Sequence, residues 1–276
     1  MIGIRELDQF FTQKDTVSGC LLILEKHLNK NNLEWIEPSA GAGSFIDGAF
    51  ELGFGYPKLA FDIMPQHNMV KKSDFLKEDL KNVFSESNKT KLFLGNPPFG
   101  KNSSLAIKFF NHMSKSNADV IAMILPATFS KNSVKNKLDF NFILVEELDL
   151  GNVYFSFGSE KRKVPVVFQI WKRSNIKREK VVNKTESSFF DFVSKDKAEF
   201  AIQRVGAAAG KVKLDFQEFS PNSHYFIKAK SANVLEVFKK INWDKIKYKT
   251  AGNPSIAKPE LVEEFEVNYA KEKNLV

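Results

Sequence analysis

Short apolar runs alternating with helix-length patterns constrain this chain more than any other feature. LEWIEP (33–38), KLAFDI (58–63), KLFLGNP (91–97), DVIAMILP (119–126) and FILVEEL (142–148) have the length and composition of buried strands. Segments near 44–52, 103–115 and 127–138 read as helices between them. Strands joined by crossovers of that length pair in parallel, and a parallel sheet needs cover on both faces. Later runs near 153–157 and 164–171 lie close together and read as a closing hairpin, which makes seven strands in an α/β fold. A helix opens the pattern. Val17, Cys20, Leu21, Leu24 and Leu28 recur at helical spacing, with Asp15 and Thr16 as its expected caps. Cys20 sits on the apolar stripe and is expected in the core.

After Trp171 the composition changes. KRSNIKREKVVNKTESS is polar and basic, and marks the expected boundary between a first domain, 1–173, and a smaller one, 188–276. The charge is uneven as well. Residues 1–150 hold 17 Lys and Arg against 18 Asp and Glu, whereas residues 151–276 hold 24 against 15. Such a surplus fits a polyanionic partner or a solvated lysine-rich surface. One cysteine excludes an internal disulfide, and the scattered His27, His67, His112 and His224 offer no metal-ligand spacing. No run of about 18 apolar residues suggests a membrane span. MIGIRELDQFFTQKD lacks the apolar core of a secretory signal, so a reducing, cytoplasmic setting is expected.

Glu37-Pro38-Ser39-Ala40-Gly41-Ala42-Gly43 falls where the first strand should end and a helix begin. Its glycines permit a tight turn and close approach of a ligand to the backbone. Asp62, nineteen residues beyond Gly43 and at the end of the next strand, is placed to accept two ribose hydroxyls. The spacing is not that of a dinucleotide loop. With Glu37 ahead of the glycines, the loop is similar to that of S-adenosylmethionine enzymes, whose ligand carries positive charge and no pyrophosphate. Ile63 follows Asp62, and Ser73-Asp74-Phe75 is expected to hold the adenine, with Asp74 accepting its amino hydrogens and Phe75 beside the ring.

Asn96-Pro97-Pro98-Phe99 comes directly after a later strand, at the carboxyl edge where ligands collect in such sheets. Prolines fix the backbone and remove donors, leaving carbonyl oxygens as bare acceptors. An amine conjugated to an aromatic ring is a poor nucleophile. The Asn96 side-chain oxygen and the Pro97 carbonyl can each accept one amino hydrogen, which frees the nitrogen lone pair for attack on a methyl group. Phe99 can stack on an extruded base. Such catalysis needs orientation and electrostatics rather than a covalent nucleophile.

With these residues together the chain resembles the N6-adenine (amino-group) DNA methyltransferases, in the arrangement with the cofactor motif before the NPPF motif and a target-recognition segment last. The similarity spans about residues 9–172. It implies a Rossmann-like methyltransferase sheet with helices on both faces and a smaller C-terminal domain. The implied cofactor is S-adenosyl-L-methionine, with S-adenosyl-L-homocysteine as product. Asn96 would touch both cofactor and base. Within Gln9-Phe10-Phe11-Thr12, the resemblance places Phe11 and Thr12 over the cofactor. ILPATFS (124–130) resembles the segment after the fifth strand, with Phe129 near the flipped base or in the core.

The implied substrate is double-stranded DNA, in a bacterial or phage setting, with a cognate restriction enzyme or partner subunit as a further expected partner. Lys161, Arg162 and Lys163, in an expected loop between the last two strands, and Arg204, Lys211, Lys213, Lys228, Lys230 and Lys249 in the tail are the candidate substrate contacts. Three alternatives stay open. An RNA N6-adenine methyltransferase would use the same chemistry. A protein glutamine methyltransferase also positions an amide with Asn-Pro-Pro, usually followed by Tyr. A non-catalytic nucleic-acid-binding subunit would usually have lost the glycines or the Asn-Pro-Pro residues.

Overall fold

A computed structural model describes residues 13–157, 160–250 and 253–272, with the side chains of residues 154–163 outside that description. The chain divides into two compact units, 1–181 and 182–276.

The first unit is built on a seven-stranded sheet. In chain order the strands are β1 (Leu33–Glu37), β2 (Leu59–Asp62), β3 (Lys71–Lys72), β4 (Thr90–Gly95), β5 (Val120–Pro126), β6 (Phe142–Phe157) and β7 (Glu160–Arg173). Their spatial order is β3-β2-β1-β4-β5-β7-β6. The first five pair in parallel, and β7 runs antiparallel to both β5 and β6. This is a doubly wound, Rossmann-like α/β sheet with an antiparallel strand inserted beside its last member. The expected number of strands is found, but not the expected set. FILVEEL and the run near 153–157 belong to one strand, β6, which register shifts between Leu144 and Glu146 and between Asp149 and Gly151 interrupt without ending. Strand β3 consists of two exposed lysines with no apolar signal of its own.

Alternation along the strands feeds two cores. Leu92, Leu94, Ala122 and Ile124 pack on one face beneath helices α1 (Lys14–Glu25) and α2 (Ser44–Glu51). Phe93, Ile121, Met123 and Leu125 pack on the other with helix α3 (Ser104–Met113). Cys20 is fully buried in the first core, and burial pushes its thiol pKa up. Asp15 and Thr16 lie inside α1, whose N-cap is Gln13 without a side-chain bond, and Leu28 lies beyond its end. The expected helix at 127–138 is a 3₁₀ turn, Ala127–Ser130, followed by the short α4 (Asn132–Lys135).

The first unit extends past Trp171 because arginines anchor the following chain. Arg173 donates to the carbonyls of Ala118, Ser114 and Ser116 at 2.7–2.9 Å. Arg178 donates to those of Phe142 and Leu138, and lies over the Trp171 ring.

The second unit is a four-stranded antiparallel sheet, β10-β9-β11-β8, from β8 (Phe190–Phe192), β9 (Phe200–Gln203), β10 (Val212–Lys213) and β11 (His224–Ala229). Helices α5 (Val234–Lys240), α6 (Asp244–Lys247) and α7 (Lys258–Glu272) complete it. Phe190, Phe238, Trp243 and Phe265 dominate its core. Gly210, at φ +90°, lies flat against Trp243, where a Cβ would come within 2.1 Å of the indole.

Candidate active site

The order of strands reverses at β1, which has β2 on one side and β4 on the other. In such sheets a crevice opens beyond the carboxyl ends at the reversal. Glu37 ends β1 and Asn96 directly follows β4, so the two expected motifs meet at that crevice.

After Glu37 the chain turns through Gly41 at φ +50° and Gly43 at φ +83° into α2. A Cβ on Gly43 would stand 2.6 Å from the His67 ring, which pairs with Asp47 at 3.5 Å. The loop is therefore closed to side chains by a neighbour as well as by its own dihedrals. Glu37 is 2% exposed, and its Oε2 has no hydrogen-bond partner. Burial, followed by the charges of Asp62 and Asp47, pushes its carboxyl pKa well above the ordinary glutamate range. A buried acid in that condition favours any donor or cation brought to it.

Asp62 closes β2. Its two oxygens accept the N–H groups of Gly41 and Met64, both at 2.8 Å, so the acid is fixed against the glycine loop. A carboxylate has about four acceptor positions, and two remain for a ligand. Ile63, 40% exposed beside it, offers an apolar surface. The Ser73 N–H donates to the Asp62 carbonyl at 2.9 Å, which ties the SDF segment to the end of β2. Asp74 caps a 3₁₀ turn by accepting from Leu76 N–H at 3.2 Å, with Lys77 3.4 Å away. Phe75 is 2% exposed and packs against Phe61, Phe93, Phe109 and His112, so the structure places it in the core beneath the Asp74 turn.

The NPPF segment continues β4 with trans peptide bonds. Asn96 and Pro97 are buried and Pro98 half-buried. The Ser39 hydroxyl donates to the Asn96 carbonyl at 2.9 Å, which joins the glycine loop to the NPPF segment. Phe99 is 5% exposed in the core, and its carbonyl accepts the N–H groups of Leu105 and Ala106 at the start of α3. Its ring therefore supports the loop instead of lying open to a base. Phe129 is fully buried and belongs to the core, the second of the two placements expected for it.

The other expected contacts are scattered. Gln9 to Thr12, and with them Phe11 and Thr12, lie outside the described residues. Lys161, Arg162 and Lys163 are not in a loop; they are strand residues of β7, in register with Tyr154, Phe155 and Ser156. Strong hairpin pairing carries both strands past the expected turn, and those side chains lie outside the description. In the second unit Arg204 lies over the Tyr225 ring at 5.1 Å with a buried, unpartnered Nε, and Lys213 lies over Phe219 at 5.6 Å. Lys211 lines an open cavity of about 730 Å³ together with Trp243 and the Ala207–Gly210 turn. Lys228 is exposed and Lys249 half-buried. Lys230 is committed elsewhere, to Asp191 at 2.8 Å and the Ser187 carbonyl at 3.0 Å. His67, Ser103 and Thr128 also shape the first unit's site. Each acts through a contact distant in sequence, which spacing along the chain does not reveal.

Comparison with family models and with curated proteins returns no match. Among solved structures, the chain is similar to a protein assigned as an RNA methyltransferase from Pyrococcus horikoshii, at TM-score 0.47 and 15% identity over 62% of this chain and 89% of that one. It is similar to a protein assigned as the modification subunit of a type I restriction enzyme from Vibrio vulnificus YJ016, at TM-score 0.46 and 16% identity over 60% and 45%. A third is magnesium protoporphyrin IX methyltransferase from Synechocystis PCC 6803, with bound SAM, at 0.39 and 14% over 58% and 79%. The fold itself rests on the strand order: the first unit is a Rossmann-like α/β sheet whose order reverses between β1 and β4.

Proposed function

We propose that the chain is an S-adenosylmethionine-dependent methyltransferase that modifies the N6 amino group of a flipped adenine in DNA. The observation that carries this reading is the bond from the Ser39 hydroxyl to the Asn96 carbonyl, which puts a loop turned by two positive-φ glycines and an Asn-Pro-Pro segment at one strand reversal. The residues present fit the cofactor. Glu37 is a buried acid whose Oε2 lacks a partner, Gly41 and Gly43 turn the loop at positive φ, and Asp62 keeps free acceptor positions beside the exposed Ile63. Glu37 would face the positively charged end, Asp62 the ribose, and Ile63 with Asp74 the adenine.

The cofactor supplies an electrophilic methyl group on a sulfonium. The chain orients the acceptor. The Asn96 side-chain oxygen and the Pro97 carbonyl accept the two amino hydrogens of the target base, and the nitrogen lone pair is released from the ring. Buried acceptors of fixed geometry act without reorganisation, which is where most of the rate gain arises. Phosphate contacts fall to the basic residues of β7 and to Arg204, Lys211 and Lys213 of the second unit.

The test is transfer of labelled methyl to unmethylated double-stranded DNA, with matched RNA alongside and nucleoside digestion of the product. N6-methyladenine in DNA with little in RNA is expected. Label in RNA alone would move the substrate to RNA with the chemistry intact. Label in neither, with cofactor bound, would refute the nucleic-acid assignment for the isolated chain.

A further inference from the structure

Directly after the NPPF segment the backbone does something costly. Gly100 adopts φ +67°, where a Cβ would meet that of Leu105 at 2.7 Å. Asn102 and Ser103 then take left-handed conformations in succession, at φ +53° and +62°. Asparagine tolerates this region, but serine holds it only where surrounding contacts enforce it. Here the enforcing contact is visible. Ser103 is 1% exposed, and its hydroxyl bonds to that of Thr128 at 2.6 Å. Thr128 lies in the turn that follows β5, and β5 is the parallel neighbour of β4, with Gly95 opposite Met123. The hydroxyl pair therefore joins the loops leaving the carboxyl ends of two adjacent strands. The second loop is braced in turn, since the Ser130 hydroxyl donates to Glu147 on β6 at 2.7 Å.

We propose that Ser103 and Thr128 form a latch that positions Asn96 and Pro97 for the transfer reaction, acting through the strained turn and touching neither substrate nor cofactor. The inference rests on the function proposed above. Two acceptors aimed at one nitrogen need placement within about 0.5 Å, and the NPPF segment is held from both sides. Ser39 fixes the Asn96 carbonyl at its start, and the latch fixes the chain that leaves it. Both ends are needed because the two prolines make the segment stiff, so an error at its exit is carried back to Asn96 rather than absorbed.

The decisive variants separate positioning from stability. Ser103→Gly deletes the hydroxyl but suits the positive φ, so it should melt at or above the temperature of the parent and still lose at least tenfold in kcat. Thr128→Val should lose a similar factor, Thr128→Ser should restore the parent rate, and the Ser103→Gly/Thr128→Val pair should be no worse than either alone. KM for DNA and cofactor affinity should stay within about threefold. Hydrogen exchange in 96–106 and 127–130 should quicken in both hydroxyl-deleting variants. A Thr128→Val protein with kcat within twofold of the parent, or with unchanged exchange in those loops, would overturn the latch. A parent that methylates no nucleic acid would refute the proposed function instead, and the exchange pattern would still decide whether the latch holds the two loops.

Discussion

Glu37→Gln isolates the electrostatic tension that the fold builds at the mouth of its crevice. In the parent, burial and the Asp62 and Asp47 carboxylates raise the Glu37 pKa well above its ordinary value of 4.5. The folded state therefore prefers the protonated acid. Its contribution is fully present below pH 4.5, is lost as pH rises toward the folded pKa, and is flat above it. Within that window each pH unit removes about 1.4 kcal/mol from the ligand-free protein, equivalent to about 3–6 °C in Tm for a domain of this size.

Glutamine keeps the shape and cannot ionise. The two proteins should therefore melt together in acid and diverge as pH rises, with Glu37→Gln the more stable at pH 8. Subtracting the curves cancels the other titrating groups. A cationic ligand should reverse the effect. Its affinity for the parent should rise with pH across the same window, and binding should release a proton that calorimetry in buffers of different ionisation enthalpy can count. Parallel melting curves from pH 5 to pH 8 would refute the reasoning, because a strained buried carboxyl cannot leave stability indifferent to its removal.

Three further outcomes are expected. Asn96→Ala should reduce methyl transfer at least a hundredfold with cofactor affinity within a few-fold, measured by single-turnover transfer and titration calorimetry; near-normal transfer would remove the proposed chemistry. Gly43→Ala should cost about 1–2 kcal/mol from the left-handed backbone alone, plus displacement of the His67 ring 2.6 Å away. Cofactor binding should fail in Gly43→Ala, and Gly43→Ala/His67→Ala should regain stability in denaturant melts without regaining binding. Gly210→Ala should unfold the second unit, since its Cβ would stand 2.1 Å from Trp243, while leaving Cys20 of the first unit protected from thiol reagents.

The parallel strands were legible in the sequence because each is a short apolar run bounded by turn residues. The glycine and NPPF loops were legible because such loops need residue types that few other purposes require. Strand β3 was not, since its two residues, Lys71 and Lys72, are exposed lysines at the sheet edge with no apolar pattern. The unity of β6 was also hidden. Gly151 looks like a strand breaker, yet at φ +65° it forms an irregularity whose N–H donates to Asp149 at 2.8 Å. Phe75 and Phe99 show a different limit. Motif position points to their loops, but whether a ring faces inward depends on packing, and with 27 phenylalanines in the chain most rings have a core to fill.

Charge shows how far composition can mislead about location. The surplus of residues 151–276 reads as a basic tail, yet the second unit, 182–276, holds 16 Lys and Arg against 13 Asp and Glu. Most of the surplus falls within 160–181, with eight against two, and that stretch belongs to the first unit. Three of those eight cations are structural: Lys172 donates to the His27 carbonyl, and Arg173 and Arg178 hold backbone carbonyls of the same unit. The remainder, Lys161, Arg162, Lys163, Lys177 and Lys180, lie along β7 and just beyond it. Electrostatic attraction to a polyanion should accordingly be carried largely by the unit that holds the crevice. Replacing Lys161, Arg162 and Lys163 together by glutamine should lower the slope of log affinity against log salt by up to about three. Neutralising Lys211 and Lys213 should lower it by at most two, and a larger effect from that pair would return the principal phosphate-binding role to the second unit.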